Sequence, residues 1–260
     1  MPTKRYAFEI QYIGKNYAGS QIQFENGEEI EAPTIQGELE KALSTLIIGG
    51  NPEKRNKRPI KTVFSGRTDR GVNSKGQVVH FDTDRTIVAS KFVYSMNEIL
   101  PSDISISNFT EVDKTFHAQK SAKKRFYRFE FVNRKYKNAF DGDLMRVKFD
   151  INLERMQKSL DYLLGEHDFS SFKSSGTLNP SKVCIIYKAE CLKSGDKVII
   201  NIEGNRFLYN MVRTIVGTLL EIEGHNLPAE HMKEVLEAKD RRKAGQTVSP
   251  YGLTLMKVEY

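Results

Sequence analysis

The spacing of apolar and polar residues in the first half of the chain predicts an alternation of strands and helices. Residues 5–12 alternate so that Tyr6, Phe8, Ile10 and Tyr12 share one face, which is typical of a half-buried strand. From Ile35 to Ile47 the apolar residues recur at helical spacing, with Thr34 as the N-cap and Gly49-Gly50 as the end of the helix. The predicted order is strand, helix, strand pair, helix and strand, at residues 5–12, 35–48, 60–64 with 77–81, 91–100 and 103–112.

The second half repeats this order without a detectable sequence repeat. Its predicted elements are a strand, a helix capped by Asn152, a hairpin, a buried helix, a short helix and a last strand, at residues 122–132, 153–164, 183–192 with 197–203, 207–221, 228–238 and 253–260. Residues 165–169 are predicted to form a helix C-terminus with a packed turn. Cys184 and Cys191 belong to one predicted strand, where strict alternation places them on opposite faces and argues against a disulfide or a metal pair.

These two sets of elements predict an α+β fold built from two similar halves, residues 1–115 and 116–260. Each half is expected to contain an antiparallel sheet with helices on one side. A cleft between the halves would be the natural place for a ligand.

The composition is that of a soluble globular protein with a substantial core. The chain has 260 residues, of which 39% are hydrophobic and 28% are charged. It contains no apolar run that approaches the roughly 20 residues of a membrane span, and no apolar signal region follows Met1. We therefore expect a cytoplasmic protein with no membrane segment.

Positive charge is in excess and is clustered along the chain. Lys and Arg number 40 against 33 Asp and Glu, which gives a formal net charge of +7. Basic patches with interleaved aromatic residues suit RNA, whereas either patch alone is equally typical of a solvated strand face. The two groups comprise Lys54, Arg55, Lys57, Arg58, Lys61, Arg67 and Arg70, and Lys120, Lys123, Lys124, Arg125, Arg128, Arg134, Lys135 and Lys137.

The most chemically suggestive segment is the polar stretch from Ser65 to Val72, which lies between two predicted strands. It holds one carboxylate, Asp69, between Arg67 and Arg70. Neighbouring positive charges favour the ionised carboxylate, which is the form that a nucleophile or a base requires. The alternative is a hairpin connection whose charged residues are solvated turn groups.

Other common catalytic signatures are missing from the sequence. There is no GxxxxGK[ST], no HExxH, no paired CxxC and no GxGxxG after a strand, which disfavours nucleotide hydrolysis, zinc chemistry and dinucleotide redox without excluding them. His80 and His117 are interpreted as structural hydrogen-bonding residues rather than metal ligands.

Two further residues are candidates for binding. Tyr127 lies in a basic, aromatic strand that can offer a stacking surface to a base, although periodicity alone favours a core aromatic. Arg213 is the one cation inside the predicted buried helix and needs an anionic partner, because an unpaired buried charge costs several kcal/mol. Asp69, Glu203 and Glu221 are the candidate partners.

Taken together and in order, these segments resemble the TruA family of tRNA pseudouridine synthases over most of the chain. Residues 65–72 followed by 76–81 are similar to the family's catalytic motif. Other stretches follow family patterns in family order, namely residues 34–40, 100–104, 116–118 with 125–127, 165–169, 207–213 with 215–218, and 244–245 with 252–253.

The resemblance implies the pseudouridine synthase fold and the isomerisation of uridines in the anticodon arm of tRNA, around positions 38 to 40. It implies a homodimer that uses no cofactor and no metal. In this family pattern Asp69 is the catalytic aspartate, Arg67 helps to hold the flipped nucleotide, Tyr127 stacks on and binds it, and Arg213 pairs with the aspartate. Ser20 and Asn73 depart from the family, which usually has tryptophan and histidine there, so local packing or RNA contacts are in question at these two positions.

The chemistry also follows from the residues. Converting uridine to its C-glycoside breaks the N1–C1′ bond and joins C5 to C1′, so one carboxylate at the ribose can serve without redox or phosphoryl groups. Whether Asp69 adds to C1′ or removes the C2′ proton stays open. A non-catalytic basic RNA-binding protein is the main alternative, and a glycoside hydrolase is less favoured because it needs two carboxylates.

Overall fold

The computed structural model describes residues 3–25, 27–48, 60–174 and 181–260 and divides into two compact units. The N-terminal unit comprises Met1–Ala122 and Leu255–Tyr260, and the C-terminal unit comprises Lys123–Thr254. The sequence placed the boundary between residues 115 and 116, whereas the structure divides the chain after Ala122 and returns the last residues to the N-terminal unit. Lys54, Arg55, Lys57 and Arg58 of the first basic group and the predicted helix end at Gly49-Gly50 lie outside the described residues.

In the part of the chain that the structure describes, the N-terminal unit contains antiparallel strands and two α-helices. Strand β1 lies between β5 and β6 and pairs antiparallel with both, β4 pairs with β5, and β12 neighbours β5 on its other side. The elements are β1 (Lys4–Tyr12), β2 (Phe24–Glu25), β3 (Glu28–Glu29), α1 (Ile35–Ile48), β4 (Thr62–Phe64), β5 (Asn73–Thr83), α2 (Ala89–Ile99), β6 (Ile104–Val112) and β12 (Leu253–Glu259).

The core of this unit follows from the predicted periodicities. The apolar face of β1 is buried, and Tyr6 and Phe8 lie against Phe109, with ring centroids 5.0 and 6.3 Å apart. Burying such a side chain stabilises the fold by roughly 1.5–3 kcal/mol. Helix α1 begins where predicted, since Gly37 N donates to Thr34 Oγ1 at 3.1 Å. Its predicted stripe is buried at Ile35, Leu39, Leu43 and Ile47.

The strands of the C-terminal unit pair in the order β7-β11-β10-β9, antiparallel at each step, with β8 parallel to β7. Asn152 caps α3 as predicted, accepting from Arg155 N at 3.0 Å. The predicted α+β class, with mostly antiparallel strand pairing, is therefore confirmed. The elements are β7 (Lys124–Asn133), β8 (Arg146–Val147), α3 (Leu153–Asp161), β9 (Gly165–Asp168), β10 (Val183–Ser194), β11 (Lys197–Gly204), α4 (Met211–Gly224) and α5 (His231–Ala238).

The interpretation of residues 165–169 as a helix C-terminus is wrong. Helix α3 ends at Asp161, and Gly165 opens strand β9 with a φ of +94°, a conformation that favours glycine. Strand β9 then pairs with β10, with Asp168 opposite Val183. The short polar run lacks strand periodicity because its partner, rather than its own pattern, determines its conformation.

The prediction that the two cysteines lie on opposite faces is also wrong. A bulge between Ile186 and Lys188 inserts one residue into β10 and reverses the alternation beyond it. Ile186 and Cys191 therefore pair with Gly204 and Ile200, which share one face of β11. Cys184 lies two residues before Ile186 and is on the same face of β10, so the two cysteines share that face. Both thiols are free, and burial raises the pKa of each to about 11.

Within the described part of the chain, none of the helices is both long enough and apolar enough to cross a membrane.

Candidate active site

Residues 65–72, here called the Asp69 turn, connect β4 to β5. Ser65 N donates to Val78 O at 2.8 Å and closes the base of the turn. Val72 N donates to Asp69 O at 3.1 Å and closes its tip. The predicted strand-flanked loop is therefore present and is compact.

The charged side chains of the Asp69 turn differ in exposure. Asp69 is half-buried, whereas Arg67 and Arg70 are exposed. The two guanidinium groups are thus accessible to an incoming polyanion. The expectation that they hold the carboxylate ionised stays a prediction.

A second segment, residues 14–20, packs along the Asp69 turn. Gly19 forms an isolated antiparallel bridge with Asp69. Next to it, Ser20 N donates to Thr68 O at 3.0 Å, and Thr68 N donates to Ser20 Oγ at 2.8 Å. Gly19 has a φ of +127°, which a residue with a side chain rarely adopts. The backbone on both sides of the carboxylate is therefore held by residues distant in sequence.

The buried side chains of Tyr12 and Gln77 form hydrogen bonds with residues of the Asp69 turn. The hydroxyl oxygens of Tyr12 and Thr68 are 2.8 Å apart, and burial raises the pKa of Tyr12 to about 12, so its phenol keeps its proton at neutral pH. Gln77 Nε2 donates to Gly66 O at 2.8 Å, and its Oε1 accepts from Ser65 Oγ. Satisfied buried networks of this kind favour one arrangement of the backbone.

Helix α1 fixes the strand that leads into the Asp69 turn. Glu40 is fully buried, and its Oε1 accepts from Thr62 N at 2.9 Å and from Thr62 Oγ1 at 3.0 Å. Gln36 Nε2 also donates to Glu40 Oε1, at 2.9 Å, and Lys61 Nζ lies 3.7 Å from Glu40 Oε2. A buried carboxylate requires such partners, because an uncompensated charge is costly.

Ser20 and Asn73, the two residues that depart from the family pattern, both form hydrogen bonds in the Asp69 turn or directly beside it. Ser20 holds Thr68 as described, and Asn73 Oδ1 accepts from Gly14 N at 2.9 Å. A Cβ on Gly14 would lie only 2.1 Å from Val72 O, so the two backbones meet without space for a side chain. Sequence reasoning identified Ser20 and Asn73 only as departures and missed their role in holding the turn.

Tyr127 lies on β7 at the less buried end of the predicted aromatic face. Phe129 and Phe131 are fully buried, whereas Tyr127 is half-buried. Its ring packs edge-to-face against Phe207, with centroids 5.1 Å apart and planes at 81°. This face of β7 is therefore buried at Phe129 and Phe131 and partly exposed at Tyr127, which packs against Phe207.

Arg213 lies on α4 and is half-buried. Its Nε donates to Val248 O at 2.8 Å, and its Nη1 donates to Asn210 Oδ1 at 2.7 Å. Segment 244–248 reaches the helix because Gly217 has no side chain: a Cβ there would lie 1.7 Å from Gln246 O. Two neutral acceptors therefore orient the guanidinium group.

The four residues singled out from the sequence divide evenly between the units. Asp69 and Arg67 belong to the N-terminal unit, and Tyr127 and Arg213 belong to the C-terminal unit. Of the carboxylates considered for Arg213, Glu203 accepts from Lys124 Nζ at 2.8 Å. The pairing of Arg213 with Asp69 stays a prediction.

His80 has the structural role that was expected. It is buried, and its Nδ1 accepts from Ala118 N at 3.1 Å. Burial lowers the pKa of His80 to about 4, and the charge of Arg5 contributes in the same direction, so the ring is neutral at physiological pH. No group of three or more His, Cys, Asp or Glu residues suited to a metal ion occurs in the described residues.

Comparison with known proteins agrees with the motifs. Residues 160–260 match the family model described as tRNA pseudouridine synthase. The tRNA pseudouridine synthase A of Anoxybacillus flavithermus is 40% identical over 258 residues, covering 99% of each chain. Proteins of the same name from an Exiguobacterium species and from Brevibacillus brevis are each 39% identical over 259 residues, covering 99% of this chain and 98% and 100% of theirs.

Among solved structures, a chain of a Cbf5-Nop10-Gar1 complex aligns with 84% of this chain and with 45% of its own length. The sequence identity is 10% and the TM-score is 0.38, a level of similarity that carries no functional argument. The sequence relatives are decisive, because they match along nearly their whole length and are nearly the length of this chain. The resemblance drawn from the motifs is thereby confirmed, and the chain belongs to the tRNA pseudouridine synthase A family.

Proposed function

We propose that this protein, an isomerase by family, converts uridine to pseudouridine in the anticodon arm of tRNA, around positions 38 to 40, with Asp69 as its catalytic carboxylate. The observation that carries the proposal is the way in which the Asp69 turn is held. Its backbone is fixed at Thr68 by Ser20 and at Gly66 by Gln77, while the Asp69 side chain stays half-buried between two exposed arginines. A site whose backbone is fixed before substrate binds loses less rate to reorganisation.

The reaction requires little beyond a placed carboxylate. The N1–C1′ bond of uridine breaks, the freed uracil turns, and the C5–C1′ bond forms; the hydrogen on C5 leaves as a proton, and N1 takes up a proton. Asp69 acts at the ribose, either by adding to C1′ or by removing the C2′ proton. Both routes use the ionised carboxylate, and both return it unchanged at the end of the cycle.

Access to the ribose requires that the target nucleotide leave its stack. Extrusion costs a few kcal/mol, whereas stacking on an aromatic ring recovers roughly 1–3 kcal/mol per base. We assign the stacking ring to Tyr127, whose half-buried position and edge-to-face support by Phe207 suit it to hold a base. The exposed guanidinium group of Arg67 is assigned to the backbone of the flipped nucleotide.

Arg213 is proposed to balance the charge of Asp69 during the reaction. Its hydrogen bonds to Val248 O and Asn210 Oδ1 hold the guanidinium group in a defined orientation. A double-mutant cycle with Asp69→Ala and Arg213→Gln tests this pairing through the free energy of unfolding. We expect coupling of at least 0.5 kcal/mol, as found for residues in contact, and additive effects would contradict the assignment.

Substrate and position are tested by mapping pseudouridine in tRNA from cells with and without this gene, followed by restoration with purified protein. We expect the anticodon-arm pseudouridines to disappear without the gene and to return with the protein. Unchanged modification of that arm would contradict the proposed position. The proposed enzyme is a homodimer, so light scattering at micromolar concentration should give about twice the chain mass, and a monomer would refute that part.

A further inference from the structure

The two most exposed large hydrophobic side chains in the described residues lie four positions apart in one loop. Phe140 is 96% exposed and Tyr136 is 81% exposed. Both belong to residues 134–145, here called the aromatic loop, which connects β7 to β8 in the C-terminal unit. Full exposure of two aromatic rings is unfavourable in water, so their presence in one loop indicates a binding surface.

The aromatic loop is held in a defined conformation. Its ends are joined where Val132 N donates to Met145 O at 2.8 Å. Arg134 crosses the base of the loop, where it forms ion pairs with Asp141 and with Asp196, the latter at 2.9 Å. The two rings are therefore presented by an ordered scaffold, which reduces the entropy lost on binding.

The segment around Phe140 is fixed separately. Asn138 caps a single 3₁₀ turn, residues 139–141, because its Oδ1 accepts from Phe140 N at 2.9 Å. Asp141 N donates to Asn138 O at 3.2 Å and closes the same turn. Phe140 thus projects from a capped turn.

The positive charge beside the two rings indicates an anionic partner. Lys135 and Lys137 flank Tyr136, are exposed, and have no ion pair with the described residues. Of the nearby acids, Asp141 and Asp196 both pair with Arg134, and Asp143 is exposed. A second copy of this chain would bring the same lysines together across a two-fold axis, whereas phosphates would neutralise them.

We propose that the aromatic loop binds unpaired nucleotides of the substrate tRNA, with Tyr136 and Phe140 stacking on bases and Lys135 and Lys137 contacting phosphates. Aromatic stacking combined with basic side chains is the usual means by which proteins hold single-stranded RNA. The proposal rests on the proposed function, since tRNA is the RNA in question. It adds a contact that uses none of the four residues assigned to the chemistry.

The test compares the double variant Tyr136→Ala/Phe140→Ala with Tyr94→Ala, which removes a 70% exposed aromatic ring from α2. We expect the Kd for tRNA to rise about tenfold or more in the double variant, since each stacked base contributes roughly 1–3 kcal/mol. The Tyr94→Ala variant should bind as the wild type does. The pair Tyr136→Phe/Phe140→Tyr keeps both rings and should retain affinity, and the single-turnover rate at saturating tRNA should stay unchanged in every variant.

Two results would overturn the proposal. One is an unchanged Kd in the double variant, and the other is weaker binding that accompanies a change from dimer to monomer, which would identify the loop as a contact between copies. The proposed function is judged separately by pseudouridine formation in the wild type. Wild type that binds tRNA without forming pseudouridine refutes the function alone, and an active wild type with an unaffected double variant refutes the loop contact alone.

Discussion

Replacing Ser20 by alanine tests whether the packing of residues 14–20 fixes the Asp69 turn. Ser20 is 1% exposed and its Oγ accepts from Thr68 N at 2.8 Å, while Thr68 itself is 6% exposed. Ser20→Ala therefore leaves a buried N–H without its acceptor, which costs roughly 1–3 kcal/mol of unfolding free energy. The bond from Ser20 N to Thr68 O, at 3.0 Å, is retained, so the variant should still fold.

The effect on rate should exceed the effect on binding. Thr68 immediately precedes Asp69, and a shift of the carboxylate by about 1 Å lowers a catalysed rate by up to about a hundredfold. We expect the single-turnover rate of pseudouridine formation to fall about tenfold to a hundredfold in Ser20→Ala, with the Kd for tRNA nearly unchanged. The assays are chemical denaturation, tRNA binding and tritium release from tRNA labelled at C5 of uridine.

Ser44→Ala is the matched control for this prediction. Ser44 is also buried in the N-terminal unit, but its hydroxyl donates to Glu40 O at 2.7 Å, a carbonyl within helix α1. Removing it leaves no backbone N–H without an acceptor, so the loss of unfolding free energy should be smaller and the rate should stay normal. Equal rates in the two variants would refute the argument that Ser20 positions the turn.

Two other predictions concern pH and metal. Because the pKa of His80 is about 4 in the fold against an ordinary value of 6.5, the unfolded chain binds the proton first. The contribution of neutral His80 to stability is present above pH 6.5 and is lost as pH falls to about 4, by at most about 3 kcal/mol. His80→Asn, which keeps an acceptor for Ala118 N, should flatten the curve of unfolding free energy over that range, and an unchanged slope would contradict the assignment. Exhaustive chelation and dialysis should leave pseudouridine formation unaffected, and a strict need for added metal would refute that expectation.

Much of the fold was predictable because burial imposes a period on the sequence. The alternation of β1 and the helical stripe of α1 are buried as predicted, and Thr34 and Asn152 cap the helices that follow them. The hairpin at Ser194-Gly195-Asp196 forms where its turn residues indicate. These elements carry their own signals, since each buries one face and ends at residues suited to caps or turns.

Other features depend on strand pairing and on contacts between residues distant in sequence, which the local hydrophobic pattern does not encode. Strand β9 exists because β10 pairs with it, and the bulge near Ile186 reverses the alternation that the cysteine prediction assumed. At the candidate site, the sequence indicated the Asp69 turn and its charges. The contacts of Ser20 and Asn73 with the turn or its neighbours join residues about fifty or more positions apart, so no local pattern specified them.

Replacing Asp69 by asparagine tests most directly whether its carboxylate performs the chemistry. Asp69→Asn keeps the shape of the side chain and removes its charge. Formation of the C5–C1′ bond expels the hydrogen on C5, so tritium release from labelled tRNA reports the reaction directly. Asp84→Asn is the matched control, because it removes one exposed carboxylate from the same unit.

Wild type and Asp84→Asn should release tritium at similar rates. Asp69→Asn should bind the same tRNA with similar affinity and release essentially none. Near-normal tritium release by a properly folded Asp69→Asn protein would contradict the assignment.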